Sequence, residues 1–234
     1  MRDEMVTRSV SLDELEIDWD GIWQESGFRG YVPDESAQRL YREVVDEVRR
    51  RVHPMYGYAS YLNEGSDRVA LRMGGVCFQA GGIISRYLFE ADEFVVFVAT
   101  AGREFESLQR ELDREGDIVK QFMADMIGSE IAEATGNLLS RTLEKIQSDR
   151  GLGVSNRYSP GYCGWPVAEQ RKLFTLLPPT PCGITLTDSC LMLPIKSISG
   201  VMAVGSSVEK RPYGCAICGR KDCYKNRLRK AEKR

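Results

Sequence analysis

The sequence predicts an α+β domain, and three observations carry the prediction. Two stretches repeat their apolar residues at helical spacing, one beginning after Pro33 and a longer one beginning near Arg103. Short runs of β-branched and aromatic residues lie between and after them, at Tyr56 to Cys77, Phe94 to Thr100 and Ile198 to Val204. The 234 residues, 42% hydrophobic and 28% charged, suffice to bury a sizeable core as one large soluble domain or two small ones.

The elements follow in chain order. The opening MRDEMVTRSVSLDELEID is charged and has no apolar core of a signal sequence. No run approaches the roughly 18 apolar residues of a membrane span, so a cytoplasmic protein with no membrane partner is expected. Residues 11 to 19 have mixed helix propensity; Asp18 suits a helix cap, Asp20-Gly21 breaks the pattern, and Trp23 and Phe28 follow. Pro33-Asp-Glu-Ser opens an amphipathic helix through Ala37, Leu40, Tyr41, Val44, Val45 and Val48, and Arg49 to Arg51 suit the negative end of its dipole. His53-Pro54 ends it. This is the only histidine, which removes Ser-His-Asp and Cys-His catalysis from consideration.

Strands separated by a turn are expected over Tyr56 to Cys77. The glycine pairs at 74–75 and 81–82 are followed by no Gly-Lys-Ser/Thr and form no GxGxxG, so they do not read as a phosphate cradle. Ile83 to Leu88 reads as helix, and Phe94 to Thr100 as a buried strand. Two helices broken around Gly116 then run from near Arg103 to Ile146. Met123 and Met126 read as core, and Gly128, Ser129, Ala132, Ala134 and Gly136 permit close packing. Ala168 to Leu177 is helical up to Pro178-Pro179, Gly183 to Thr187 is strand-like, and Ile198 to Val204 alternates as a short final strand.

Between these elements stands RYSPGYCGWP, Arg157 to Pro166. Pro160, Gly161, Gly164 and Pro166 can neither continue a helix nor sit in a central strand, so the backbone must form a fixed irregular turn. Such a turn exposes main-chain groups to a ligand. Gly161 permits close approach, and Arg157 and Tyr162 offer a donor fork and a flat ring.

The net charge of −2 conceals an asymmetry. From Glu209 onward ten Lys or Arg face three Asp or Glu, an excess of seven, so the remainder carries −9. The basic tail reads as a solvated end or a docking patch; no nucleic-acid partner is expected. Within it lies Cys215-x-x-Cys218-x-x-x-x-Cys223, three thiols among glycines that free backbone N–H groups for the sulfurs. An iron–sulfur cluster, zinc and unligated thiols all remain open. A fourth ligand is not evident; Cys77, Cys163, Cys182, Cys190 and an exogenous group are the candidates. The tail, 207–234, is separated from a main domain at 1–206.

Arg157, Pro160-Gly161-Tyr162, Pro166, Leu186-Thr187-Asp188-Ser189, Pro194 and Ser197-Ile198-Ser199-Gly200 occur in an order and spacing that resembles the S-adenosylmethionine-binding activation domain of cobalamin-dependent methionine synthase. The likeness extends upstream to Phe97 to Gly102 and to Ile17-Asp18-Trp19. It implies a mixed helical, C-shaped fold with a twisted antiparallel β-sheet. It also implies a ligand site in which Arg157 takes the carboxylate and Asp18 the cationic end, with Ser159, Pro160, Gly161 and Tyr162 lining the loop. Val201, Met202 and Ala203 stand where the family places aromatic residues directly after Ser-x-Ser-Gly, and Met202 could serve as a flexible apolar contact in their place. The family's corrinoid-binding Asp-x-His-x-x-Gly is missing from the sequence, so the resemblance implies a corrinoid held by a partner methyltransferase in trans and an electron from a flavodoxin- or ferredoxin-like donor. Two rival readings are an iron–sulfur electron-transfer protein that reduces a corrinoid protein, and a zinc-containing ligand-binding module.

Overall fold

The computed structural model describes residues 4–22 and 34–211. Nine strands occur among them: β1 (Val6–Ser9), β2 (Met55–Leu62), β3 (Leu71–Met73), β4 (Val76–Phe78), β5 (Glu93–Thr100), β6 (Gly153–Val154), β7 (Thr185–Leu186), β8 (Met192–Leu193) and β9 (Ser197–Gly205). Five helices accompany them: α1 (Glu35–Arg51), α2 (Gly81–Leu88), α3 (Arg103–Glu115), α4 (Ile118–Ser148) and α5 (Gln170–Thr175).

One antiparallel sheet, in the order β1-β2-β5-β9-β6, organises the chain; β3-β4 and β7-β8 are separate hairpins. β2 and β5 pair from Met55↔Thr100 to Leu62↔Glu93, and β5 and β9 from Glu93↔Val204 to Thr100↔Ser197. Because side chains alternate across a strand, each central strand feeds two cores. Val95, Phe97, Ala99, Met202 and Val204 pack with α1, α3 and α4 on one face. Phe94, Val96, Val98, Val201 and Ala203 pack on the other with α2, α5, Tyr158 and Trp165. The run at 94–100 is apolar throughout because both of its faces are covered.

The helix boundaries follow local chemistry. Asp34 Oδ1 accepts from Ala37 N at 2.8 Å to cap α1, and the Arg51 guanidinium forks onto both Glu111 oxygens at 2.7 and 2.8 Å, tying α1 to α3. Gly116, at φ 73°, ends α3 in the left-handed conformation, and Asp117 Oδ1 accepts from Val119 N and Lys120 N to start α4. The predicted break falls there.

Some expectations change. β9 is the last strand in the chain, as expected, but it is not short: its nine residues run between β5 and β6, and it is buried on both faces rather than alternating. Of the strand-like Gly183 to Thr187 only Thr185 and Leu186 pair; Thr187 instead turns the chain, its Oγ1 accepting from Leu191 N at 3.0 Å. β1 is an added edge strand whose four residues are all exposed, so no alternation marks it in the sequence.

Candidate functional site

A groove of about 1140 Å³ opens between α4 and the segment that follows β6, with Phe97 and Ile198 on its floor. Small-molecule sites typically occupy about 300–1,000 Å³, so it has room for a nucleoside-sized ligand. Its α4 wall is a stripe at one-turn spacing, Asp125, Ser129, Glu133 and Asn137, continued by Ser140 and Arg141. The facing wall consists of Ser155, Asn156, Arg157, Ser159, Pro160 and Tyr162. At one end Lys196, its side chain only 10% exposed, bonds to Asp125 at 2.6 Å and Ser129 at 2.9 Å.

The irregular wall is fixed by backbone bonds to β9 and to itself. Tyr158 pairs with Val201 in both directions at 2.8 and 2.9 Å, and Ser155 N and Oγ engage Ala203 O and N, each at 2.9 Å. Gly161 N donates to Trp165 O at 2.7 Å and Trp165 N to Tyr162 O at 2.8 Å, closing the turn over the buried Trp165 ring. Gly161 adopts φ 97°, a conformation that explains why glycine stands there. Gly200 lies beneath: a Cβ on it would meet Tyr158 O at 2.3 Å.

Arg157 is the groove's central cation. Its Nη2 donates to Asn137 Oδ1 at 2.7 Å and Glu133 Oε2 at 3.0 Å, which holds the guanidinium against α4. Its Nη1 is buried without a hydrogen-bond partner. Gly136 makes that position possible, since a Cβ there would stand 1.8 Å from Nη1. A buried guanidinium donor without an acceptor is costly.

The loop residues named from sequence, Arg157, Ser159, Pro160 and Tyr162, are brought together on one wall. Gly161 lies behind them in the turn. Met202 and Ala203 are fully buried in β9 and do not line the groove. Met202 sits one layer below it, with Ser140 Oγ 3.6 Å from its sulfur, and Ala203 faces the opposite core. Asp18 is exposed, caps a turn by accepting from Gly21 N at 2.9 Å, and is not among the lining residues, although Ile22, four positions on, is. Sequence reasoning missed Glu133 and Asn137; only their four-residue spacing along one helical stripe could have marked them.

Cys215, Cys218 and Cys223 lie outside the described residues. Within them, no group of three or more His, Cys, Asp or Glu is placed to hold a metal. Cys77, Cys163, Cys182 and Cys190 are in no disulfide, and burial pushes the Cys182 thiol up to about 11. No described helix is long and apolar enough to cross a membrane.

An antiparallel sheet backed by long helices, with a polar groove between helix and loop, defines an α+β domain with a groove of ligand size. The chain belongs to the family of the vitamin B12 dependent methionine synthase activation domain, whose model matches residues 83–231. Among solved structures, that of the MetH reactivation domain bound to AdoHcy is similar, with a TM-score of 0.65 at 18% identity over 91% of this chain and 81% of that one. At that identity the likeness is one of fold, and it includes the curled antiparallel sheet. No curated protein matches the chain.

Proposed function

We propose that this chain binds S-adenosylmethionine in the groove between α4 and the 155–162 segment and presents its methyl group to a corrinoid on a partner methyltransferase, a methionine synthase acting in trans. The observation that carries the reading is the Arg157 side chain lining the groove beside Ser159, Pro160 and Tyr162. It is supported by family membership and by the AdoHcy in the similar reactivation domain. The single histidine, exposed at His53, leaves no cobalt ligand of the Asp-x-His-x-x-Gly kind in these residues, so the corrinoid is assigned to the partner.

S-adenosylmethionine supplies an electrophilic methyl group, and the electron for reductive methylation comes from a flavodoxin- or ferredoxin-like donor. The chain's own residues bind and orient. Arg157, which lines the groove, takes the carboxylate, a charge-assisted contact of about 1.5–3 kcal/mol. On the α4 wall Glu133 holds the Arg157 head in place and Asp125 holds Lys196, so the carboxylates of this wall position the groove's cations. Ser159, Pro160 and the 63% exposed Tyr162 line the mouth, where a partner meets the bound ligand. No proton transfer is required of the protein; its contribution is proximity and orientation. Asp18 does not line the groove, and its assignment to the cationic end rests on the family resemblance alone. Gly161, Met202 and Ala203 shape the wall and floor from behind.

The test is reductive methylation of an oxidised corrinoid methyltransferase with a chemical reductant. Adding this chain and S-adenosylmethionine restores turnover; Arg157→Ala at equal concentration does not at low ligand. Equal stimulation by the variant, or none by the wild type with any corrinoid partner despite tight ligand binding, contradicts the reading.

A further inference from the structure

We infer that Gln170 selects the base of the bound ligand, its side-chain carboxamide pairing with the exocyclic amino group and the adjacent ring nitrogen of an adenine. The inference rests on the S-adenosylmethionine reading of the groove, and adds to it a contact at the end of the ligand remote from the carboxylate.

Gln170 is the first residue of α5, a short helix with one apolar face. Leu173 is fully buried and Phe174 packs on the same core, three and four positions on, so Gln170 stands where the pattern calls for an apolar side chain. It is only 5% exposed, yet it lines the groove together with Tyr162, Met192 and Ser199. Its Nε2 is buried and has no hydrogen-bond partner.

Among the described residues, the other long buried polar side chains are bonded. Glu169, the preceding residue, accepts from Gln79 N at 2.8 Å and pairs with Lys172 at 2.7 Å. Gln147 Oε1 accepts from Arg150 at 2.8 Å. Neither is a lining residue of the groove. The long buried polar side chain on the groove wall is thus the one whose donor is idle. An amide donor buried without an acceptor costs stability that a leucine of similar volume would not. Local rules are broken in this way at functional sites.

The chemistry of the amide names the group it meets. A carboxamide sets a donor and an acceptor side by side. Adenine sets a ring-nitrogen acceptor beside an amino donor, and glutamine meets such an edge with two parallel hydrogen bonds. The ligand's carboxylate or its ammonium would match one half of the amide; the adenine edge matches both. The torsion that turns the amide is broad, and no hydrogen bond of Nε2 has to break for the carboxamide to swing toward the groove.

Calorimetry on the full chain with two probes tests the assignment: S-adenosylhomocysteine, which carries the same carboxylate and base as the methyl donor, and its counterpart with hydrogen in place of the exocyclic amino group. The wild type is expected to bind the desamino probe at least about tenfold more weakly. Gln170→Leu is expected to lose at least about tenfold for S-adenosylhomocysteine and to bind the two probes within about threefold of each other, because the partner of the amino group is gone. Its melting temperature should hold or rise. A merely structural glutamine would do the reverse, with stability lowered and the preference for the amino group intact. Gln170→Met, unbranched and of similar length, takes its place should the leucine variant not fold. A wild type that binds both probes equally, or a folded Gln170 variant that keeps the full preference for the amino group, overturns the base assignment. Arg157→Ala separates that failure from failure of the underlying reading: it should weaken both probes alike and keep the wild-type preference between them. A wild type that binds neither probe overturns the methyl-donor reading and the base assignment with it.

Discussion

One wall of the groove is the surface of α4, a regular 31-residue helix; the other is the irregular run from Ser155 to Pro166, pinned to β9 by the Tyr158–Val201 bridge. The helical wall is held by its own ladder, so its side chains can change with little effect on the backbone. The irregular wall has few such bonds, and its shape depends on glycines and on contact with β9. Arg157 belongs to the irregular wall by chain but to the helical wall by contact, through Glu133, Asn137 and the space above Gly136. The difference assigns shape to one wall and electrostatic placement to the other.

That division is broken most severely at Gly200. A Cβ there would press on the Tyr158 carbonyl, so Gly200→Ala should lower unfolding stability by about 3 kcal/mol, the upper end for overpacking, measured by denaturant titration. Loss below about 0.5 kcal/mol would show that the loop is not seated on β9 as described. Arg157→Ala should weaken S-adenosylmethionine binding at least about tenfold, or about 1.4 kcal/mol, with the fold retained by circular dichroism. Gly136→Ala sharpens the comparison, because alanine improves helix propensity while displacing Nη1. It should match the affinity loss of Arg157→Ala within about threefold, without the stability loss of Gly200→Ala. Glu133→Gln keeps a hydrogen-bond acceptor but removes an exposed charge; stability should move by less than about 1 kcal/mol and affinity by about threefold, read by calorimetry.

The smallest effect lies far from the groove. Asp67, in the turn before β3, accepts from Val69 N, Ala70 N and Arg72 Nη1, and these bonds lower its carboxyl from 3.8 to about 2. Because the folded form holds the proton less tightly, its contribution is present above 3.8 and is lost as pH falls through about 2. Asp67→Asn should flatten the acid limb of thermal stability slightly; an unchanged limb would remove Asp67 from that role.

The same contrast explains what was legible in the sequence. Gly161 and Pro160 announce a fixed turn, since few other residues tolerate its backbone, and the break at Gly116 is visible for the same reason. Periodicity gave α1 and α3, whose buried stripes face one core each. α4 was visible as a helix, but Glu133 and Asn137 resemble any solvated helical face until Arg157 is seen lying across them. β9 was read as a short alternating strand over Ile198 to Val204, whereas it runs over nine residues and is buried on both faces. Asp18 and Met202 became candidates through resemblance alone. The structure places Asp18 in a surface turn and Met202 one layer under the groove.

The central claim is that the groove accepts S-adenosylmethionine with its carboxylate on Arg157. Calorimetric titration of anaerobically purified protein, wild type beside Arg157→Ala, tests it most directly. The account predicts saturable binding near one site per chain in the wild type and a loss of at least about tenfold in the variant. Equal affinities, or wild-type protein that binds no S-adenosylmethionine with or without a corrinoid partner, would contradict it.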